Sequence, residues 1–240
     1  MLDTFAGIGG FSYAATKLVG GYRTTQFIEI DPFCQKILKK HFPFTPIHDD
    51  IRTFTAIPKQ YDVICGGFPC QSISVAGNRA GITKESRSGI FYELMRVIRM
   101  VRPRFVVLEN VAAILNNGLD IVLGELSQAG YDAEWSVISA SSLGACHRRS
   151  RWWCVATLTN SDSKRLQREN FSEMEREIWA KGTTRCLNPN WRSYVSKPIL
   201  RRGDDGLSYR VDRTKALGNS VVPQVAAIPL KRVHDLYYNE

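Results

Sequence analysis

Three clusters of side chains in this 240-residue chain have the types and spacing to do chemistry. Residues 66–74 read GGFPCQSIS and set Cys70 between Pro69 and Gln71, just past the apolar run 61–65. An apolar run that opens into glycines is how a buried strand ends at the rim of an open α/β sheet, where ligands and reactive side chains collect. A thiolate in that place is a soft nucleophile able to bond a substrate covalently. The second cluster ends the apolar run 105–108 with Glu109, Asn110 and Val111. A carboxylate at the end of a buried strand is costly unless it is paired or used as an acid or base. The third is Arg149 and Arg151, which alternate with Ser150 ahead of the apolar run 152–158. A period of two predicts both guanidinium groups on one face, where a pair can grip anions or carbonyls.

These groups need a frame to hold them. The chain opens with LDTFAGIGGFSYAA, an apolar start running into a glycine-rich turn and a helix-compatible stretch. Such a turn brings backbone N–H groups and the positive end of a helix towards an anionic group. Glu29 closes the β-type run 24–30, nineteen positions after Gly10. That is near the spacing at which dinucleotide folds place an acid for ribose hydroxyls, although the turn reads FxGxGG rather than GxGxxG. Strands near Leu2, 25–29, Tyr61, Phe105, Glu134 and Arg151 alternate with helices at 11–18, 32–41, 89–101 and 119–128. The pattern predicts an α/β fold with a doubly wound, mostly parallel sheet.

Taken in order, the motifs resemble those of the cytosine-C5 DNA methyltransferases, over roughly 1–156 and 210–237. ProCysGln with its glycines and serines is similar to the family's nucleophile motif, and Glu109, Asn110 and Val111 to its general-acid motif. The ArgxArg pair is similar to the arginine motif, with His147 where the family usually has glutamine. Gly218, Asn219, Ser220 and Val221 resemble the last block. The resemblance implies a Rossmann-like methyltransferase sheet with a short target-recognition insertion. It also implies an S-adenosyl-L-methionine site formed by Phe5, Ala6, Gly7, Gly9, Gly10, Glu29, Ile30, Asp50, Ile51, Pro69, Asn219, Ser220 and Val221. Asp49 stands where the family usually has glycine before that aspartate, and the first strand is expected to be cut short at Met1.

By the same resemblance Cys70 adds to C6 of a flipped cytosine, Glu109 acts at N3, Arg151 faces O2, and Arg149 belongs to the catalytic set. The stretch 72–87 is the expected lid over DNA, with Gln71, Ser74, Arg79 and Arg87, and with Arg201 and Arg202 farther on, as DNA contacts. Three regions are implied: catalytic and cofactor-binding at 1–158, reduced target recognition at 159–209, and a returning C-terminal segment at 210–240. A net charge of +9 fits a double-stranded DNA partner. Six scattered cysteines without a CxxC pair indicate neither a zinc site nor a disulfide framework. No stretch is apolar enough to span a membrane, so the expectation is a cytoplasmic, prokaryotic or phage-encoded monomer near the nucleoid, with room for a cognate restriction endonuclease. A tRNA cytosine-C5 methyltransferase and a non-catalytic DNA-binding paralogue are the alternatives.

Overall fold

The computed structural model describes residues 1–69, 89–159 and 210–238. Cys70, Gln71, Ser74, Arg79, Arg87, Arg201 and Arg202, the expected lid, and all of the expected recognition region but Thr159 lie outside the described residues.

Among the described residues, seven strands form one sheet: β1 (Leu2–Thr4), β2 (Gln26–Ile28), β3 (Ile47–His48), β4 (Val63–Gly67), β5 (Phe105–Val111), β6 (Tyr131–Ser139) and β7 (Ser150–Leu158). Their spatial order is β3-β2-β1-β4-β5-β7-β6. β1 pairs parallel with β2 and β4, β2 with β3, and β4 with β5, while β7 runs antiparallel to both β5 and β6. The chain winds one way from β1 and the other way from β4, so the switch point lies between these two strands, at the carboxyl ends where such sheets bind ligands. The expected doubly wound sheet is present. The two-residue β3 and the reversed direction of β7 are features the sequence pattern did not reveal.

Helices follow from local chemistry. α1 (Gly10–Tyr13) leaves the glycine turn and passes into wider helical turns at Ala14–Val19. α2 (Pro32–His41) is started by Asp31, whose carboxylate accepts from the N–H of Phe33, with Pro32 in the first turn. α3 (Ile90–Val101) buries Phe91, Leu94, Met95, Val97, Ile98 and Val101, a stripe at helical spacing. α4 (Leu119–Gln128) joins it on one face of the sheet, against Leu2, Ile28, Ile64, Val106, Leu108 and Trp152. After α5 (Arg210–Asn219), α6 (Pro223–Tyr238) packs with α1 on the opposite face, over Val63, Cys65, Phe105, Val107, Trp153 and Val155.

One polar cluster is sealed beneath the glycine turn. Asp3 is fully buried on β1, and its Oδ2 accepts from Ser12 N at 3.2 Å and Ser12 Oγ at 2.6 Å. Its Oδ1 is buried with no hydrogen-bond partner among the described residues. Burial pushes the Asp3 carboxyl up to about 7, against the opposing pull of the Ser12 bonds. Since the folded chain holds this proton more tightly than the unfolded one, the contribution of Asp3 to stability is full in acid and is lost as pH rises from about 4 to about 7. At 1.36 kcal/mol per unit the loss is roughly 4 kcal/mol. Asp3→Asn is therefore expected to weaken the pH dependence: in urea unfolding at pH 5 and pH 8 its midpoint moves less than that of the wild-type chain. An unchanged difference would show that Asp3 is not the titrating group.

Candidate active site

The carboxyl ends of β1, β2, β4 and β5 bring most of the singled-out residues to one edge. After β1 the chain turns sharply at Phe5, a non-glycine residue at φ 53. Left-handed backbone of this kind persists where the surroundings impose it, and it clusters at functional turns. Here the surroundings are specific: Ala6 N donates to Ile28 O at 3.1 Å, and Gly7 N to Glu29 Oε2 at 2.6 Å. Glu29 Oε1 accepts a further bond from Asp31 N at 2.8 Å. Burial raises the Glu29 carboxyl above its ordinary value, and these two backbone bonds partly offset the rise. Ala6 packs into the small core with Phe27 and Leu38, and Phe5 lies against the α3-side core.

The C-terminal block closes on the same turn. A Cβ on Gly10 would meet Val221 Cγ2 at 2.6 Å and Val221 O at 3.1 Å, so only glycine lets this segment approach so closely. Asn219 and Ser220 stand at the end of α5, with Ser220 N bonded to Ala216 O at 3.0 Å. Lys215 of α5 reaches Asp31 at the start of α2 at 2.8 Å, and this holds the Asp31 carboxyl below its usual range. Behind the turn, α1, α2 and the α5–α6 junction border an open groove of about 840 Å³, lined in part by Gly9, Gly10, Ser220 and Val221.

On the other side of the switch point, β4 delivers Gly66, Gly67, Phe68 and the exposed Pro69 to the edge. Gly67 pairs in register with Glu109 of β5, and a Cβ there would lie 2.8 Å from Glu109 Oε2. The missing side chain is the space the carboxylate occupies, three residues before Cys70. Asn110 turns the other way and donates through Nδ2 to Phe68 O at 3.3 Å, holding the stub that leads to Cys70. No spacing in the sequence signals that bond.

Glu109 and Arg151 meet because of strand register. Arg151 lies opposite Val111 on the antiparallel β7, so it is a diagonal neighbour of Glu109 on the same face. Its Nε stands 3.1 Å from Glu109 Oε1. Burial raises the Glu109 carboxyl to about 7, while Arg151 and then Arg149 pull it down. A carboxyl so poised can give up a proton near neutrality.

Arg149 departs from the expected pairing. It sits before the start of β7 at φ 37, off the alternation that was to bring both guanidinium groups to one face. Its Nη2 donates to Gly218 O at 2.8 Å and Ser220 O at 2.5 Å, the carbonyls on either side of Asn219. The two arginines diverge, one to the acid and one to the C-terminal block.

The third expected cofactor segment follows β3. Arg52 grips the Asp50 carboxylate with a fork, Nε at 3.0 Å and Nη2 at 2.7 Å, which holds that carboxyl below its usual range. Ile51 is 3 % exposed and belongs to the α3-side core, whereas Ile30, beside Glu29, is 64 % exposed.

The decisive comparison is with families of known proteins. Residues 1–198 match the model of the C-5 cytosine-specific DNA methylases. The chain belongs to this family. It is 36% identical over 204 residues to the type II methyltransferase M.CviJI of Paramecium bursaria Chlorella virus IL3A, covering 83% of this chain and 53% of that protein. It is 31% identical over 221 residues to the type II methyltransferase M.MspI of Moraxella sp, covering 88% and 51%. This family member thus spans about half the length of these curated relatives. Among solved structures, the Dnmt2 methyltransferase of S. pombe superposes with a TM-score of 0.59 at 21% identity, over 73% of this chain and 54% of that one. A protein encoded within an E. coli prophage gives 0.62 at 18% identity, over 100% and 99%. At those identities the likeness speaks for the fold.

Proposed function

We propose that the chain transfers a methyl group from S-adenosyl-L-methionine to C5 of cytosine in double-stranded DNA. The observation that carries this reading is Glu109: a half-buried carboxyl poised near 7, paired with Arg151, and in register with the strand end that leads to Cys70.

The residues at the edge suit the cofactor. Glu29 accepts two backbone N–H groups, and an ionised carboxylate keeps further lone pairs for ribose hydroxyls. Ile30 offers exposed apolar surface beside it, and Asp50 has a carboxylate at the outer rim for an amino group. Gly7, Gly9 and Gly10 bring backbone against the ligand, with Phe5, Ala6, Ile51, Pro69, Ser220 and Val221 around them and Asn219 at its amino-acid end. When bound, S-adenosyl-L-methionine supplies an electrophilic methyl on a sulfonium.

The rest is the chain's own chemistry. The Cys70 thiolate adds to C6, forming an S–C6 bond and pushing electrons towards N3 and O2. Protonated Glu109 donates to N3, and Arg151, which orients Glu109, meets the charge on O2. Once C5 carries the methyl group, a base takes the C5 proton, the S–C6 bond breaks and Cys70 is released. Arg149 keeps Asn219 in place through the carbonyls flanking it. The cytosine reaches the thiol only when flipped out of the stack. Gln71, Ser74, Arg79 and Arg87, with Arg201 and Arg202 in the 159–209 region, would hold the DNA. A monomer working in a prokaryotic or phage-infected cytoplasm, with or without a cognate restriction endonuclease, completes this reading.

Labelled-methyl transfer to duplex DNA and to tRNA in parallel tests it. The expected result is label in DNA, recovered as 5-methylcytosine; label in tRNA alone, or in neither, would overturn the proposal.

A further inference from the structure

Arg96, on the exposed side of α3, was singled out by no motif, yet its guanidinium is committed almost completely. Nη2 donates to Ile51 O at 2.6 Å and Arg52 O at 3.2 Å, and Nη1 to Phe54 O at 3.1 Å. Nε donates to Glu93 Oε2 at 2.8 Å, one turn earlier on the same helix, which fixes the plane of the fork. The three carbonyls belong to one turn, the turn that presents Asp50. The turn's own bonds converge on Asp50, from Arg52 N at 2.9 Å and the Arg52 fork to its carboxylate and from Thr53 N and Oγ1, each at 3.1 Å, to its carbonyl. The Arg52 and Phe54 carbonyls, and that of Ile51 apart from a longer bond from Phe54 N at 3.3 Å, are left for Arg96. A planar fork reaches carbonyls spread along the turn from two separate arms, with Nε left for Glu93, whereas an ammonium's three donors diverge from a single nitrogen and cannot span the same set.

We propose that Arg96 is a positioning residue for the cofactor site, holding the turn so that Asp50 keeps the geometry in which it meets the ligand, with the buried Ile51 as the turn's anchor in the core. This rests on the reading above that Asp50 contacts the cofactor.

The test uses the full chain and S-adenosyl-L-homocysteine as the calorimetric probe, with Arg96→Lys preserving charge and bulk should Arg96→Ala fail to fold. The expected result for Arg96→Lys is a Kd raised about tenfold or more, the scale of losing hydrogen bonds from a charged donor. The rate constant kcat at saturating cofactor should stay within about threefold of wild type, since the reacting groups are untouched. Asp50→Asn should weaken binding in the wild-type background and add little to Arg96→Lys, because both act through one turn. Unchanged affinity in Arg96→Lys, even with a lowered melting temperature, would make Arg96 a plain structural tie and overturn the proposal. So would a full additive loss from Asp50→Asn in that background. If Asp50→Asn leaves wild-type affinity intact, the cofactor reading itself fails and takes the proposal with it.

Discussion

Cys70→Ser is expected to abolish methyl transfer to DNA while cofactor affinity stays within about twofold of wild type. A serine hydroxyl keeps the size and polarity of the side chain but is scarcely ionised at neutral pH, whereas a free thiol with an ordinary value of about 8.5 is a few per cent thiolate at pH 7. In the proposed reaction, addition to C6 is the step that makes C5 nucleophilic, so no slower route through the same groups is expected to take over. The glycine turn, Glu29 and the C-terminal block are separate from this change, and binding should not follow the rate. Turnover with radiolabelled cofactor and calorimetry on the same preparation measure both. A serine variant retaining even a tenth of the wild-type rate would remove Cys70 from the mechanism.

The second large effect is at Glu109. Glu109→Gln keeps a donor for N3 but cannot release a proton, and the loss expected for a general acid is about 10²–10⁴ in kcat. The pH profile is more diagnostic than the size. In the proposed reaction Glu109 must be protonated to act, and with its carboxyl near 7 the active fraction is expected to fall as pH climbs above that value. The thiolate fraction rises over the same range, up to its ordinary value of about 8.5. In wild type the two trends cancel, giving a plateau of kcat/KM between pH 7 and 8.5. With Gln there is no acid to lose, so the residual kcat/KM should climb by about tenfold per pH unit across that window. A variant whose profile parallels wild type would show that Glu109 does not titrate in the reaction. Arg151→Ala should raise the Glu109 carboxyl further, since the guanidinium 3.1 Å away pulls it down.

How much of this was legible in the sequence depends on the kind of signal each residue gave. α2 at Pro32–His41 and α4 at Leu119–Gln128 fall where the sequence pattern placed them, because the signals for a helix are local. The reversed β7 was not legible: alternating βα units imply parallel strands, and nothing within Ser150–Leu158 marks its direction. Its direction nevertheless sets the register that places Arg151 diagonal to Glu109. The two-residue β3 was too short to show a period. Within the candidate site, Glu29 follows the carboxyl end of β2, where the apolar run of the sequence ends. Arg149 does not pair with Arg151 as alternation implied, because φ 37 takes it out of the strand before alternation begins. The ties made by Arg96, Asn110 and Lys215 were invisible because each joins segments far apart in sequence through a backbone carbonyl or a single carboxylate.

The most direct measurement is a trapping experiment with duplex DNA carrying 5-fluorocytosine at a methylated position, incubated with the chain and S-adenosyl-L-methionine. Fluorine at C5 cannot leave as a proton, so elimination stops and the S–C6 bond persists. The account predicts a complex that survives denaturation and a modified peptide mapping to Cys70 by mass spectrometry. Its formation should depend on the cofactor and be lost in Cys70→Ser. A methylating enzyme that gives no such complex, or one attached through another residue, would contradict it.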